Sequence, residues 1–157
     1  PCNRDRAPGI GRAASTFCEE TMTMKIALFG LLSCGVLSAA PIIDIKKVAG
    51  KSAKEVESVL GAPTQSEKVK QGTKRFYMND TVEVVFISEK ADWITVTPTK
   101  PTRFSKDALT ELGLEVKPPT FANEHILKWV PYGDYHSILI FPGPKGIDYI
   151  YVMTKTE

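Results

Sequence analysis

The body of the chain contains the same arrangement twice, and this repeat constrains the fold more than any other feature. A helix-like stretch at 52–60 precedes three strand-like runs, the last of which is 92–96. A second helix-like stretch at 105–112 precedes three more, the last of which is 148–152. A repeat of about fifty residues indicates duplicated supersecondary units that share one core. The sequence therefore predicts an α+β fold, in which two α-β-β-β repeats form antiparallel sheet with helices packed on one face.

Start and stop signals frame both helix-like stretches. Ser52 and Glu55 have the spacing of a capping box, in which each side chain satisfies a backbone amide of the other residue. Gly61 ends the first stretch, Pro63 prevents its continuation, and Gly113 ends the second stretch. The predicted division of the body is an N-terminal arm at 41–50, a first repeat at 51–98, a linker at 99–104 and a second repeat at 105–157.

The segment before the repeats has the pattern of an export signal. Residues 1–23 hold no methionine before Met22, and we interpret them as upstream-translated sequence or a non-native leader. At 24–40 a lysine near the start is followed by an apolar run and then small residues, which is typical of a signal peptide. The apolar run is short for a bilayer crossing, which needs about 20 apolar residues. We therefore expect an exported protein.

Two kinds of processing are open for this signal. Cleavage near Ala39 or Ala40 would release a periplasmic or extracellular protein. Alternatively, residues 31–34 read Leu-Leu-Ser-Cys and resemble a lipobox, so that Cys34 is a candidate for lipidation. The protein would then be lipid-anchored, and a membrane would be a partner only in that case.

Composition excludes several classes of function. The body from residue 41 onward has no cysteine, which excludes disulfide frameworks, zinc–thiolate sites and cysteine catalysis there. It carries 16 Lys and Arg residues against 15 Asp and Glu residues, a net charge of +1, and the charges are interspersed. This charge distribution does not suggest nucleic-acid binding.

Few residues of the body suggest chemistry. His125 and His136 are isolated, with no neighbours at metal-ligand spacing, and we predict neither a metal site nor a cofactor. Asp92 and Asp148 occupy matching positions before the third strand of each repeat, where we expect a turn-closing role. A pair of carboxylates can also perform acid–base catalysis. A small envelope enzyme that uses Asp92, Asp148 and His136 is therefore the alternative hypothesis, and no enzymatic activity is the prediction.

Three aromatic residues on the last strands of the two repeats, one in the first and two in the second, are the predicted binding residues. Side chains alternate between the faces of a strand, so Trp93 is separated from Ile94 and Val96, and Tyr149 and Tyr151 from Ile150 and Val152. If the helices cover the aliphatic face, Trp93, Tyr149 and Tyr151 lie on the other face. Trp and Tyr dominate interface hot spots. The competing interpretation is ordinary packing, against cross-strand neighbours or the arm.

The first repeat resembles a known family group. Residues 55–64 read Glu-Val-Glu-Ser-Val-Leu-Gly-Ala-Pro-Thr and precede a strand that contains Tyr77. This resembles the SmpA/OmlA (BamE-like) outer-membrane lipoproteins and the β-lactamase inhibitor protein-like domains, in its two-unit form the tandem inhibitor. The resemblance implies a helix ending in Leu-Gly-x-Pro on a small antiparallel sheet. The second repeat departs from it because no proline follows Gly113, and the inhibitor's disulfides are absent.

These observations lead to one functional prediction with two alternatives. The chain is predicted to be an exported, non-catalytic binding or accessory protein, whose aromatic sheet face contacts a protein or an envelope component. The alternatives are the small envelope enzyme and, from the resemblance together with Cys34, a lipid-anchored envelope-assembly lipoprotein.

Overall fold

The computed structural model describes residues 40–155. The predicted leader, Cys34 and the signal peptide except for Ala40 lie outside the described residues. The elements in chain order are a 3-10 helix at Ile45–Lys47, α1 at Ala53–Leu60, β1 at Gln65–Val69, β2 at Gly72–Tyr77, β3 at Val82–Ile87, β4 at Lys90–Val96, a 3-10 helix at Lys106–Leu112, β5 at Phe121–Ala122, β6 at Leu127–Trp129, β7 at Tyr135–Gly143 and β8 at Gly146–Thr154. Within these residues no helix has the length and hydropathy needed to cross a bilayer.

The eight strands form one continuous sheet. Their order is β1-β2-β3-β4-β8-β7-β6-β5, and every neighbouring pair is antiparallel. Strands adjacent in sequence are therefore also adjacent in the sheet, with one exception. β4 and β5 are not neighbours, because β4 pairs with β8. This central pair joins the strands of the first half of the body to those of the second.

The predicted α+β class, with two α-β-β-β repeats and helices packed on one face, is wrong. Residues 40–155 form an eight-stranded antiparallel sheet with four strands in each half, and the one α-helix among them has eight residues. Residues 106–112 form a 3-10 helix instead of the predicted α-helix. The missed strands β1 and β5 lie at the sheet edges, where exposed side chains carry no apolar alternation.

The hydrophobic core lies on one side of the sheet. Its central strands contribute fully buried aliphatic residues, among them Ile94 on β4, Ile150 on β8 and Ile138 on β7. The non-strand segments that cover this side of the sheet supply the rest of the core, and α1 contributes only one fully buried residue. The fully buried residues of these segments are Ile45, Val48, Val56, Leu109 and Leu112.

The arm is an ordered part of this core. Ile43 is buried, and the amide of Ile42 donates to the carbonyl of Glu111 at 2.9 Å, which places the arm beside the second 3-10 helix. Farther along, the amide of Gly50 donates to the carbonyl of Ala91 at 2.8 Å. Connecting segments thus cover much of the core side of the sheet, where the sequence predicted helices.

The local signals of the first helix are confirmed. Ser52 and Glu55 form both hydrogen bonds of a capping box, and Gly61 follows the helix with a φ of 86°. The capping bonds also lower the pKa of the Glu55 carboxyl, because the Ser52 hydroxyl and amide both donate to it. α1 therefore begins and ends where capping chemistry predicts.

Candidate binding surface on the open sheet face

The side of the sheet opposite the core, which we call the open face, is defined by its cross-strand register. One row of directly opposed residues crosses all eight strands, because each pair in it is a register partner of the next. Directly opposed residues point to the same face of a sheet. The row reads Gln65, Phe76, Glu83, Thr95, Tyr151, Leu139, Lys128 and Phe121.

The three predicted binding residues lie together on the open face. Tyr151 belongs to the row above, and Trp93 and Tyr149 lie two positions from a row member on their own strands, so they share its face. All three side chains are half-buried. Because Trp93 is on β4 and both tyrosines are on β8, the pairing of these two strands brings them together.

Neighbours on β7 and β8 enlarge the aromatic group into an apolar patch. The ring of Phe141 stacks on that of Tyr149, with centroids 4.6 Å apart and an interplanar angle of 27°. Met153 is directly opposite Trp93, and Leu139 is directly opposite Tyr151. Each of these neighbours is half-buried. The patch is therefore continuous across three strands.

Sequence reasoning missed Phe141, Leu139 and Met153 as members of this patch. The same period of two that identified the tyrosines runs through β7, where Ile138 and Ile140 are buried and Leu139 and Phe141 are not. Applying it to every strand would have found them. Their grouping around Trp93 nevertheless required the strand order, which alternation alone does not supply.

Ordinary packing accounts for part of the burial of the rings. Tyr149 loses surface to Phe141, as the competing interpretation expected of cross-strand neighbours. The arm does not cover the rings, because Ile43 and Ile45 belong to the core on the other side of the sheet. Burial raises the pKa of Tyr151, with a smaller contribution from the charge of Asp92, so its phenol stays a neutral hydrogen-bond donor at physiological pH.

Charged groups lie beside the patch on the open face. On the β2–β3 side, the Lys74 ammonium is 2.5 Å from the Glu83 carboxylate and 4.6 Å from the centroid of the Phe76 ring. On the β6 side, Lys128 is exposed. An apolar centre with a polar rim is the usual anatomy of a protein interface.

The two carboxylates of the enzyme alternative do not converge. Asp92 is buried where the β3–β4 register shifts, and it accepts a hydrogen bond from the Thr154 hydroxyl at 3.0 Å. Asp148 is exposed near the other end of β8, six residues before Thr154, which corresponds to about 20 Å along a strand. His136 is exposed on β7. The two carboxylates therefore have different environments and do not form a pair.

Metal ligation has no obvious location in the part of the chain that the structure describes. Residues 40–155 contain no group of three or more His, Cys, Asp or Glu side chains placed to hold a metal ion. His125 lies in a turn, where its ring contacts the Glu124 carboxylate at 3.3 Å with both side chains largely exposed.

A cavity of about 530 Å³ lies on the core side, between the start of α1 and strands β2 and β3. Phe86 and Arg75 line it, and the Arg75 guanidinium is 5.5 Å from the Phe86 ring centroid. Arg75 also pairs with Glu57 on α1. Glu57 therefore balances the charge of this guanidinium, and the lining also includes Lys54 and Glu89.

Comparison with known proteins assigns no family. No protein-family model, no curated protein and no solved structure matches the chain.

Proposed function

We propose that the chain is an exported, non-catalytic binding or accessory protein whose open face contacts a partner protein or an envelope component. The observation that supports this most directly is the grouping of Trp93, Tyr149 and Tyr151 on one sheet face, away from the core. Export rests on the signal-like segment 24–40 of the sequence.

Physical chemistry favours binding on such a surface. Trp and Tyr side chains offer large contact areas with few rotatable bonds, so little conformational entropy is lost when they are fixed in an interface. The strands hold the rings on a rigid sheet, and stacking on Phe141 further limits the motion of Tyr149. A preorganised surface loses less free energy on association.

The two alternatives have less support. Asp92 and Asp148 do not meet in one site, although acid–base work by a carboxylate pair requires both groups within reach of the same substrate. The lipid-anchored alternative depends on Cys34. It is tested by growing cells with a fatty-acid probe, because an unlabelled protein excludes it.

The experiment for the open face compares affinity capture by three baits from the native periplasm or medium. They are the wild type, the triple variant W93A/Y149A/Y151A and a matched control, V59A/V116A. Val59 and Val116 are exposed apolar residues, 43% and 40% accessible, and neither lies on a strand. Mass spectrometry identifies bound proteins, and circular dichroism verifies that each bait is folded.

We expect the wild type and the control to capture the same partner and the folded triple variant to lose it. Loss of a central hot-spot residue typically costs at least about 2 kcal/mol, or roughly thirtyfold in affinity. Equal capture by the triple variant would remove the open face from the proposal.

A further inference from the structure

The two edges of the sheet are built differently. β1 has five residues in an unshifted register with β2, and four of the five are exposed. At the other edge, β5 has only two residues and follows the pair Pro118–Pro119. Proline and short length are common ways to blunt an edge strand. β1 carries neither feature within its span. It does carry the exposed charges of Glu67 and Lys68, which also protect an edge, so a strand that pairs here has to oppose them with complementary charges.

β1 is open on the side away from β2. It stands at the end of the strand order, so no described strand pairs with its outer side. An edge strand in this state presents alternate N–H and C=O groups that an extended peptide can pair with. Ser66, Glu67 and Lys68 are exposed, so their side chains are accessible to those of a peptide that pairs beside β1.

A second copy of the chain fits this edge poorly. Each copy has one free side of β1, so two copies can pair along its full length only as antiparallel strands about a two-fold axis centred on Glu67. Residues directly opposite each other must share a face. The full-length alignment therefore places Glu67 opposite Glu67. Moving the axis by one residue places either Lys68 opposite Lys68 or Ser66 opposite Ser66, and either shift leaves only three of the five residues of β1 paired. Like charges directly opposite each other are destabilising.

We propose that the β1 edge is a docking site for an extended segment of a different protein, with an acidic residue opposite Lys68 and a basic residue opposite Glu67. A separate segment is free to present either face, so it can oppose both charges with their complements. The proposed arrangement is antiparallel, as in every described strand pair of the sheet, so the acidic residue directly precedes the basic one in the partner. This edge is distinct from the aromatic patch, although the side chains of Gln65 and Glu67 lie on the open face.

Two synthetic peptides of identical composition test the charge requirement. The matched peptide is Thr-Val-Thr-Glu-Lys-Thr-Val-Thr and the exchanged peptide is Thr-Val-Thr-Lys-Glu-Thr-Val-Thr, both with blocked ends. Binding is followed by NMR titration of the labelled protein. We expect the largest shifts at the amides of residues 65–69 and an affinity for the matched peptide about three- to tenfold higher, as two cross-strand charge pairs provide.

The reciprocal variant E67K/K68E makes the test independent of peptide chemistry, since it should reverse the preference between the two peptides. Circular dichroism checks its fold, because a lysine at 67 would oppose Lys74. Equal binding of both peptides, an unreversed preference in the folded variant, or shifts centred on the open face would each overturn the proposal. Self-association of the wild type through β1, seen as concentration-dependent protection of the same amides, would overturn it as well.

Discussion

The turn between β3 and β4 holds two ordinary residues in a conformation that glycine and asparagine prefer. Ser88 and Glu89 have φ values of 49° and 65°, and the pair Ile87–Lys90 closes the hairpin around them. Two-residue loops with both φ values positive match the twist of the flanking strands and favour Asn-Gly. The variant S88N/E89G should therefore be more stable than the wild type.

The expected gain follows from the backbone energies. An ordinary residue in the left-handed region costs about 1–2 kcal/mol, and glycine removes that cost. Glycine also gives the unfolded chain more freedom, which returns about 0.4–1 kcal/mol. The net effect of Glu89→Gly is thus about 1 kcal/mol, and Ser88→Asn adds a smaller amount because asparagine is enriched several-fold at such φ values. Together we expect a gain of about 1.5 kcal/mol in the free energy of unfolding.

Urea denaturation measures this gain as a midpoint increase of about 0.5–1.5 M, for slopes of 1–3 kcal/mol/M. Lys145→Gly is the matched control, since Lys145 lies in the two-residue turn between β7 and β8 and its φ is not positive. That variant should lose about 0.4–1 kcal/mol. An unchanged or lower midpoint for S88N/E89G, at an unchanged slope, would refute the argument from backbone strain.

Three further outcomes are expected. Gly146→Ala should cost more than about 3 kcal/mol by urea midpoint, because the new Cβ would lie 2.1 Å from the Thr102 carbonyl oxygen at a φ of +128°. Leu109→Ala should cost about 2–5 kcal/mol in the same assay, since Leu109 is fully buried. Burial, and to a lesser extent Asp134, raises the pKa of Tyr135 from 10 to about 12. The stability that depends on the neutral Tyr135 phenol is fully present below pH 10 and is lost as the pH rises towards 12. Between pH 9 and 11.5 the urea midpoint of Tyr135→Phe should therefore fall less than that of the wild type.

Local signals in the sequence predicted those parts of the fold that depend on neighbouring residues. The capping pair Ser52–Glu55 and the stop at Gly61 located α1, because a helix end is decided within one turn of chain. The β-branched and aromatic residues of 82–87 predicted a strand, and β3 occupies that segment. Local patterns of this kind act before any long-range contact exists.

The rest of the fold depends on partners distant in sequence. Residues 65–69 read Gln-Ser-Glu-Lys-Val, without the pattern of a strand, and become β1 through pairing with β2. The matching positions of Asp92 and Asp148 suggested one shared structural role, but Asp92 lies at a register shift whereas Asp148 is exposed at the start of β8. A register shift depends on how two strands pair, so it cannot be predicted from the sequence of either strand alone.

The sequence predicted which residues form the candidate site, but it did not predict how they are brought together. Period-two alternation placed Tyr149 and Tyr151 on one face of their strand. Whether Trp93 lies beside them depends on which strands are neighbours, and the pairing of β4 with β8 answers that. Because the patch spans this pairing, neither half of the body can form it alone.

The same two strands carry the core on one side and the aromatic patch on the other, so stability and binding should respond to different substitutions. Ile94 is fully buried and belongs to the core, whereas its neighbour Trp93 is half-buried on the open face. Truncating Ile94 leaves a cavity and lowers the free energy of unfolding. Truncating Trp93 removes contact area with less loss of packing, so its principal effect should be on partner affinity. If binding and stability instead fell together for Trp93, its ring would serve the packing of the sheet, and the open face would lose its central binding residue.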